Sequence, residues 1–241
     1  MYDWSFFPNF FEILSFISSN FYFIDLFKEI FFLSHIAYTI IILLNETGQV
    51  NMQNIIKDHL KEHADVLESI DNDCSEKIMS TAKKIINVIA NNGTIFWCGN
   101  GGSASDSQHI SAELIGRFKK NRIPLKSISL SSDISAITCI ANDFGYDEIF
   151  SRQLEGLGKE GDILIAITTS GESQNIINVI NMAKTKNINT YALLGKGGGR
   201  AIELLDDYIH INSNSTARVQ EMHITIGHIL CDLVEVGLGI N

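Results

Sequence analysis

Residues 95–118 read IFWCGNGGSASDSQHISAELIGRF, and this stretch predicts a strand, a glycine-rich loop and a helix. Ile95 to Cys98 is a short apolar run of the kind that fills a buried strand of a parallel sheet. Gly99, Gly101 and Gly102 let the backbone turn sharply with its N–H groups exposed. Because the following helix adds its positive N-terminal end, the loop predicts a binding site for a phosphate or a similar anion.

His109 and Glu113 lie four residues apart and therefore on one face of the predicted helix. Imidazole and carboxylate groups are the side chains that most often move protons in enzymes. A phosphate site at the start of this helix and a His/Glu pair further along it would bind a phosphorylated substrate by one end and act on the other end.

Composition limits the classes of protein that fit. The chain has 241 residues, a formal charge of -10 and an isoelectric point near 5.1, without a basic cluster for nucleic-acid phosphates. We therefore expect no nucleic-acid partner and a cytoplasmic location. The four cysteines show no CxxC spacing, which is typical of reduced thiols: Cys74, Cys98, Cys139 and Cys231.

The first 51 residues differ from the rest. Ten of the 14 phenylalanines precede Val50, and Ile30 to Leu44 carries no formal charge. This run is shorter than the roughly 20 residues of a spanning helix, and no signal-peptide cleavage site follows it. We expect residues 1–51 to be an apolar extension outside the native fold, with the native chain starting at Met52. Membrane contact is expected only if this extension is real.

Residues 52–241 predict one α/β domain that opens with two amphipathic helices, 52–70 and 75–93. These helices carry no obvious chemistry, and their apolar stripes need a partner, which is either the sheet or a second subunit. His59 and His63 are expected on a solvated helix face.

Four further strand patterns alternate with helical ones. The pattern predicts a doubly wound, five-stranded parallel sheet flanked by helices. The strands are expected at 126–130, 162–168, 189–194 and 207–211, and the helices at 132–141, 147–157, 173–186 and 200–205.

A second motif, TTSGES at 168–173, follows the most apolar of these strands. Ligands of open α/β sheets bind at the carboxyl ends of strands, and hydroxyls with free amides suit a phosphate. A simple Ser/Thr helix cap is the alternative interpretation. The GKGGGR loop at 195–200 lacks Walker A spacing and is interpreted as a flexible turn.

The third motif is RVQEMHITIGH at 218–228, within an otherwise apolar helix. Helical spacing would pair Gln220 with His223, because His228 lies about 12 Å further along an ideal helix. Gln220 and His228 can serve one metal only if the helix is irregular or if they come from different subunits. Each histidine can also be a core residue.

Four motifs together identify a resemblance that covers the chain from about Met52 to the C-terminus. In their order and spacing they resemble the sugar isomerase (SIS) domain and, within it, the phosphoheptose isomerases, which act on sedoheptulose 7-phosphate. The motifs are CGNGGSASDSQHISAELIGRF, ANDFGYDEIFSRQ, TTSGES and RVQEMHITIGHILCDL. The family has no counterpart to residues 1–51.

The resemblance implies a role for each matching position. Glu113 is the expected base and His228 the acid/base partner. One zinc ion per subunit is expected on His109, Glu113, Gln220 and His228. The expected phosphate loop is Thr168, Thr169, Ser170 and Ser173, with a threonine at 168 where the family usually has serine. The other expected substrate contacts are Asn100, Gly101, Gly102, Ser103, Glu113, Arg117, Asn142, Asp143 and Gln220.

The resemblance also implies an activity and its setting. We expect a cytoplasmic homotetramer that converts sedoheptulose 7-phosphate to D-glycero-D-manno-heptose 7-phosphate for lipopolysaccharide or another glycan. One alternative is a non-catalytic SIS-domain protein that binds a phosphosugar or a protein such as the replication initiator, but such proteins lose the acid/base pair that this chain keeps. The other is a dehydrogenase, because Gly99, Gly101 and Ala104 fit GxGxxA. That match is weak, because the acidic residue expected about twenty positions on is missing.

Overall fold

The computed structural model describes the backbone of residues 21–240 and the side chains of residues 28–43 and 52–240. The chain divides into two compact units, Met1–Leu60 and Lys61–Asn241. Residues 1–20 of the predicted extension lie outside the described residues.

A long helix, α1 (Phe21–Glu68), begins in the first unit and runs without a break through Met52. Every described side chain from 28 to 60 is exposed. Among the described helices, none combines the length and the apolar content needed to cross a bilayer. The division of the chain at residue 52 stays a prediction. Large exposed apolar residues of α1 include Ile30, Phe31, Phe32, Leu33, Ile55, Ile56 and Leu60.

The second unit contains the predicted five-stranded sheet, in which every neighbouring pair of strands is parallel. The strand order is β2-β1-β3-β4-β5, so β1 and β3 are interior strands, as their continuous apolar sequences require. The bounds are β1 (Ile95–Gly99), β2 (Ser127–Ser129), β3 (Ile163–Thr168), β4 (Asn189–Gly195) and β5 (Asp207–Ile211).

Six further α-helices connect and cover these strands. They are α2 (Asn72–Ala90), α3 (Gly102–Ile115), α4 (Ile134–Phe144), α5 (Ser151–Leu157), α6 (Gln174–Thr185) and α7 (Thr216–Gly237). Two of the predicted helices are wholly or partly 3-10 helices in the structure. The segment 147–157 is a 3-10 turn, Tyr146–Glu148, followed by α5, and the segment 200–205 is a 3-10 helix, Gly199–Leu204. In the second segment Gly198 and Gly199 have φ of 76° and 57°, outside the right-handed helical region, and the 3-10 helix of six residues precedes β5.

The two faces of the sheet have separate cores, because successive strand side chains point to opposite faces. Trp97 of β1 is buried on the face with residues of α2, α3 and α7. Phe96, its neighbour in sequence, is buried on the other face with residues of α5 and α6. The doubly wound fold predicted from the alternating pattern is therefore confirmed.

Helices α3 and α7 approach each other closely at Gly227, a buried residue of α7. A Cβ atom at this position would lie 2.6 Å from Cδ1 and 2.7 Å from Cγ1 of Ile110, which is itself 1% exposed. We expect Gly227→Ala to lower the free energy of unfolding by about 1–3 kcal/mol, because overpacking forces the two helices apart. Urea denaturation measures this change.

Gly156→Ala is the matched control. Gly156 also lies within a helix, α5, but an added Cβ would meet nothing within 4 Å. We expect it to raise stability by about 0.5–1 kcal/mol, because alanine loses less backbone entropy in a helix. An equal effect of both substitutions would contradict a close approach of the helices at Gly227.

Candidate active site

The glycine loop after β1 has the sharp turn that the sequence predicts. A Cβ at Gly99 would lie 2.6 Å from the carbonyl oxygen of Ser103, and Gly101 has a φ of 57°, so both positions favour glycine. Ser103 is buried. The side chain of Asn100 is fixed by two partners, because its Oδ1 accepts from Asn175 Nδ2 and from the Tyr146 hydroxyl, each at 2.9 Å.

The TTSGES loop follows β3 at the same edge of the sheet. Thr168 Oγ1 accepts a hydrogen bond from the amide of Gly171 at 3.1 Å, and Ser170 Oγ accepts one from the amide of Glu172 at 3.3 Å. Ser173 occupies the N-cap position of α6, but its side chain makes no capping hydrogen bond. A helix cap therefore does not account for the Ser173 hydroxyl. Thr169 and Ser170 are half-buried.

The GKGGGR loop contacts the TTSGES loop, which its interpretation as a flexible turn missed. Arg200 Nε donates to Glu172 Oε2 at 2.8 Å, and the amide of Ala201 donates to the carbonyl of Gly171 at 3.1 Å. The hydrogen bond from Arg200 is the largest cause of a lowered pKa of the Glu172 carboxyl. The opposite charges of Arg200 and Glu172 were the sequence feature that could have predicted this contact between the two loops.

Three side chains of the types that commonly bind metal ions lie close together where α3 packs against α7. Nε2 of His109 is 3.2 Å from Oε1 of Glu113 and 3.3 Å from Nε2 of His228. One ligand atom from each residue lies within 4.8 Å of the others. Two imidazole nitrogens and a carboxylate oxygen form a donor set that suits a divalent metal ion. Each side chain is at least partly exposed, so the group is open to a ligand.

Gln220 lies nearer the start of α3 than these three residues do. Its Cγ would be 3.3 Å from a Cβ at Gly102, and its Nε2 donates to Asp106 Oδ1 at 2.6 Å. Asp106 is buried, and its Oδ2 has no hydrogen-bond partner among the described residues. Burial raises the pKa of this carboxyl, although Gln220 and the nearby His109 oppose the change. Sequence reasoning missed Asp106, whose signal was its place one helical turn before His109.

His223 is a core residue, which is one of the two interpretations that the sequence left open. Its side chain is buried, and its Nε2 lies 3.1 Å from the carbonyl oxygen of Leu194 on β4. Burial is the main cause that lowers the pKa of this imidazole to about 4. His223 therefore does not share the exposed site of His228.

The remaining predicted contacts lie near the surface. Arg117 is exposed just after the end of α3. Asn142 and Asp143 are exposed in the last turn of α4, where Asn142 Nδ2 donates to Asp143 Oδ1 at 2.7 Å. Tyr146, which follows α4 closely, connects this segment to the glycine loop through its bond to Asn100.

His63 is not simply solvated, in contrast to the expectation for this helix face. Its Nδ1 lies 2.7 Å from Oε2 of Glu221 on α7. Arg218 Nη2 donates to the other carboxylate oxygen of Glu221, also at 2.7 Å. These contacts of Glu221 fix the first turns of α7, which carry Gln220.

Comparisons with known proteins identify the family of this chain. A family model described as SIS domain matches residues 58–195, more than half of the chain. The phosphoheptose isomerase of a Nitratiruptor species is 48% identical over 180 residues, which are 75% of this chain and 96% of the relative. The chain belongs to the phosphoheptose isomerase family of SIS domains.

Two more members of the phosphoheptose isomerase family support this assignment. The phosphoheptose isomerase of Helicobacter pylori (strain ATCC 700392 / 26695) is 45% identical over 184 residues, covering 76% of this chain and 96% of the relative. The solved structure of the enzyme from Neisseria gonorrhoeae matches with a TM-score of 0.73 and 34% identity, over 77% of this chain and 99% of that chain. The resemblance inferred from the motifs is therefore confirmed, and the chain is an isomerase.

The buried His223 predicts a pH-dependent stability. Its folded pKa, about 4, is below the ordinary value of 6.5, so the unfolded chain binds more protons between these values. The stability that the fold gains from keeping this imidazole neutral is complete above pH 6.5 and is lost as the pH falls toward 4. Between pH 7 and pH 4.5 the free energy of unfolding of the wild type should fall by about 2 kcal/mol more than that of His223→Gln.

Urea denaturation at both pH values, with a chelator present, measures this difference. The other titrating groups are shared by the two proteins, and the comparison removes their contribution. Parallel pH profiles of the two proteins would contradict a buried neutral His223.

Proposed function

We propose that this isomerase converts sedoheptulose 7-phosphate to D-glycero-D-manno-heptose 7-phosphate. The observation that carries the proposal is the meeting of His109, Glu113 and His228 on α3 and α7. The names of the matched relatives support a heptose phosphate as the substrate.

The reaction transfers a proton between C1 and C2 of the open-chain sugar. In our proposal the Glu113 carboxylate removes a proton from C1 of the ketose, the C1–C2 double bond forms, and the carbonyl electron pair moves to O2. His228, through the ring nitrogen that does not hold the metal, would donate a proton to O2 and accept the one on O1, and Glu113 would return its proton to C2. These steps need a base beside the carbon and a proton donor at the oxygens, which the two side chains can supply.

Zinc, one ion per subunit, is our choice of metal. His109, Glu113 and His228 would hold it. Imidazole nitrogens and carboxylate oxygens are common protein ligands of zinc. When bound, the ion supplies a Lewis acid for the oxygens of the sugar. Glu113 and His228 would orient the sugar's C1–C2 unit.

Gln220 is proposed as a ligand or substrate contact that acts across a subunit interface. Helix α7 is continuous from Thr216 to Gly237, so eight residues separate Gln220 from His228 by about 12 Å along its axis. An unbroken helix favours the second alternative left by the sequence, in which Gln220 of one subunit completes the site of its neighbour. This argument supports an oligomer, and we propose the homotetramer that the family resemblance implies.

The phosphate end of the sugar is assigned to the loop after β3. Thr168, Thr169, Ser170 and Ser173 supply hydroxyls at the start of α6, where backbone amides also favour an anion. The uncapped Ser173 hydroxyl supports this role. The sugar hydroxyls are assigned to Asn100, Gly101, Gly102, Ser103, Arg117, Asn142 and Asp143.

The cellular setting is proposed from the same family membership. We assign the chain to the cytoplasm and to heptose synthesis for lipopolysaccharide or another glycan. Residues 52–241 are proposed as the SIS domain, with residues 1–51 outside it. The relative from Nitratiruptor is matched over 96% of its length by 75% of this chain, which supports that division. Exposed Ile55, Ile56 and Leu60 on α1 are proposed subunit contacts.

The test is turnover of sedoheptulose 7-phosphate by the full chain, with zinc and with a chelator. We expect the chelator to abolish turnover, and Glu113→Gln and His228→Gln each to lower kcat by about 100-fold or more, as general acid/base groups contribute 10²–10⁴-fold. The matched control is Glu160→Gln, which changes an exposed carboxylate outside the site and should keep wild-type kcat.

Two results would contradict the proposal. A folded, zinc-treated wild type without turnover would indicate the non-catalytic SIS-domain alternative. Wild-type kcat in Glu113→Gln or His228→Gln would remove the assigned acid/base roles.

A further inference from the structure

The loop at 116–123, between α3 and β2, is bound to α7 through one buried carboxylate. Glu235 is 1% exposed, and each of its oxygens accepts two hydrogen bonds. Oε1 accepts from the amide of Phe118 at 3.1 Å and from Arg122 Nε at 3.0 Å. Oε2 accepts from the amides of Lys119 and Lys120 at 3.0 and 3.1 Å. Four donors fix both the loop and the carboxylate.

Arg122 extends this contact to the end of α3. Its Nη1 donates to the carbonyl of Leu114 at 2.7 Å, and its Nη2 donates to the carbonyl of Glu113 at 2.9 Å. The last carbonyls of a helix have no partner within the helix, and the guanidinium satisfies two of them, that of Leu114 together with the amide of Leu125 at 3.1 Å. The backbone of Glu113, the proposed base, is thereby tied to Glu235 on α7 through one planar side chain.

The same loop places an aromatic ring against the other proposed catalytic residue. The rings of Phe118 and His228 are stacked, with centroids 5.6 Å apart and planes inclined by 16°. The ring of His109 also contacts the ring of His228 in an edge-to-face arrangement, with centroids 5.0 Å apart and an interplanar angle of 73°. Phe118 is half-buried and also packs against the core on this face of the sheet. The imidazole of His228 is therefore held between two rings.

We propose that Phe118 is a positioning residue that orients the His228 imidazole for metal binding and proton transfer, with the Arg122–Glu235 pair holding Phe118 in place. This inference rests on the role of His228 proposed above. A half-exposed histidine has several side-chain orientations, and a stacked ring reduces their number before ligand or substrate binds. Preorganised ligands lose less entropy on binding, and neighbours of metal ligands commonly change metal affinity 10–100-fold.

The experiment compares Phe118→Leu with Phe118→Tyr in the full chain. Leucine keeps an apolar contact with the core but cannot stack, whereas tyrosine keeps the ring. The probe for binding is Zn²⁺ alone, titrated calorimetrically into metal-free protein, and kcat and KM for sedoheptulose 7-phosphate are measured separately. Tyr208→Leu, at a half-buried aromatic of β5 on the other face of the sheet, is the matched control.

We expect Phe118→Leu to weaken Zn²⁺ binding about 10–100-fold, and to lower kcat while KM stays within about threefold, because the proposal gives the ring a contact with His228 and none with the sugar. Phe118→Tyr should restore both quantities to within about threefold of wild type, and Tyr208→Leu should change neither. Wild-type Zn²⁺ affinity and kcat in Phe118→Leu would overturn the proposal, and so would equal losses in Phe118→Tyr and Phe118→Leu.

Arg122→Lys tests the second half of the proposal, because lysine keeps the charge but cannot contact Glu235 and the α3 carbonyls together. If Arg122 acts through Phe118, the double variant with Phe118→Leu should bind Zn²⁺ no more weakly than Phe118→Leu alone. Additive losses would contradict that route. The Zn²⁺ titration needs no substrate, so a wild type inert toward sedoheptulose 7-phosphate would overturn the proposed function and leave this test intact.

Discussion

The close packing of α3 against α7 at Gly227 is the contact on which the site depends. It brings His109 and Glu113, on one helix, to His228, which lies more than a hundred residues later in the sequence. The two helices cover the same face of the sheet, where the core around Trp97 fixes their orientation. The position of the candidate metal ligands therefore follows from the packing of the core rather than from a local loop.

Much of the fold could be predicted from the sequence because a parallel sheet leaves a simple signal. Continuous apolar runs such as 163–168 can only be interior strands once helical patterns separate them. The short helical segments were less predictable. At 199–204 a 3-10 helix follows two glycines with positive φ, and a pattern of apolar residues does not distinguish a short 3-10 helix from an α-helix.

The candidate site was predictable only where spacing or the family resemblance supplied it. His109 and Glu113 follow from four-residue spacing on α3, whereas helical spacing alone favoured His223, which is buried against β4. Family resemblance favoured His228, and the geometry agrees with that choice. Asp106 and Phe118 lie within the first motif and Arg122 lies just after it, but residue type and spacing assigned them no role, because their contacts across α3, α7 and the following loop depend on the fold.

The central proposal is that two imidazoles and one carboxylate of one chain hold a metal ion. X-ray absorption spectroscopy at the zinc edge, on the full chain loaded with one zinc ion per subunit, tests this claim most directly. The account predicts a first shell of nitrogen and oxygen only, with the scattering of two imidazole rings per zinc and no sulfur. A shell with sulfur, or with fewer than two imidazoles, would contradict the assignment of His109 and His228 to one ion.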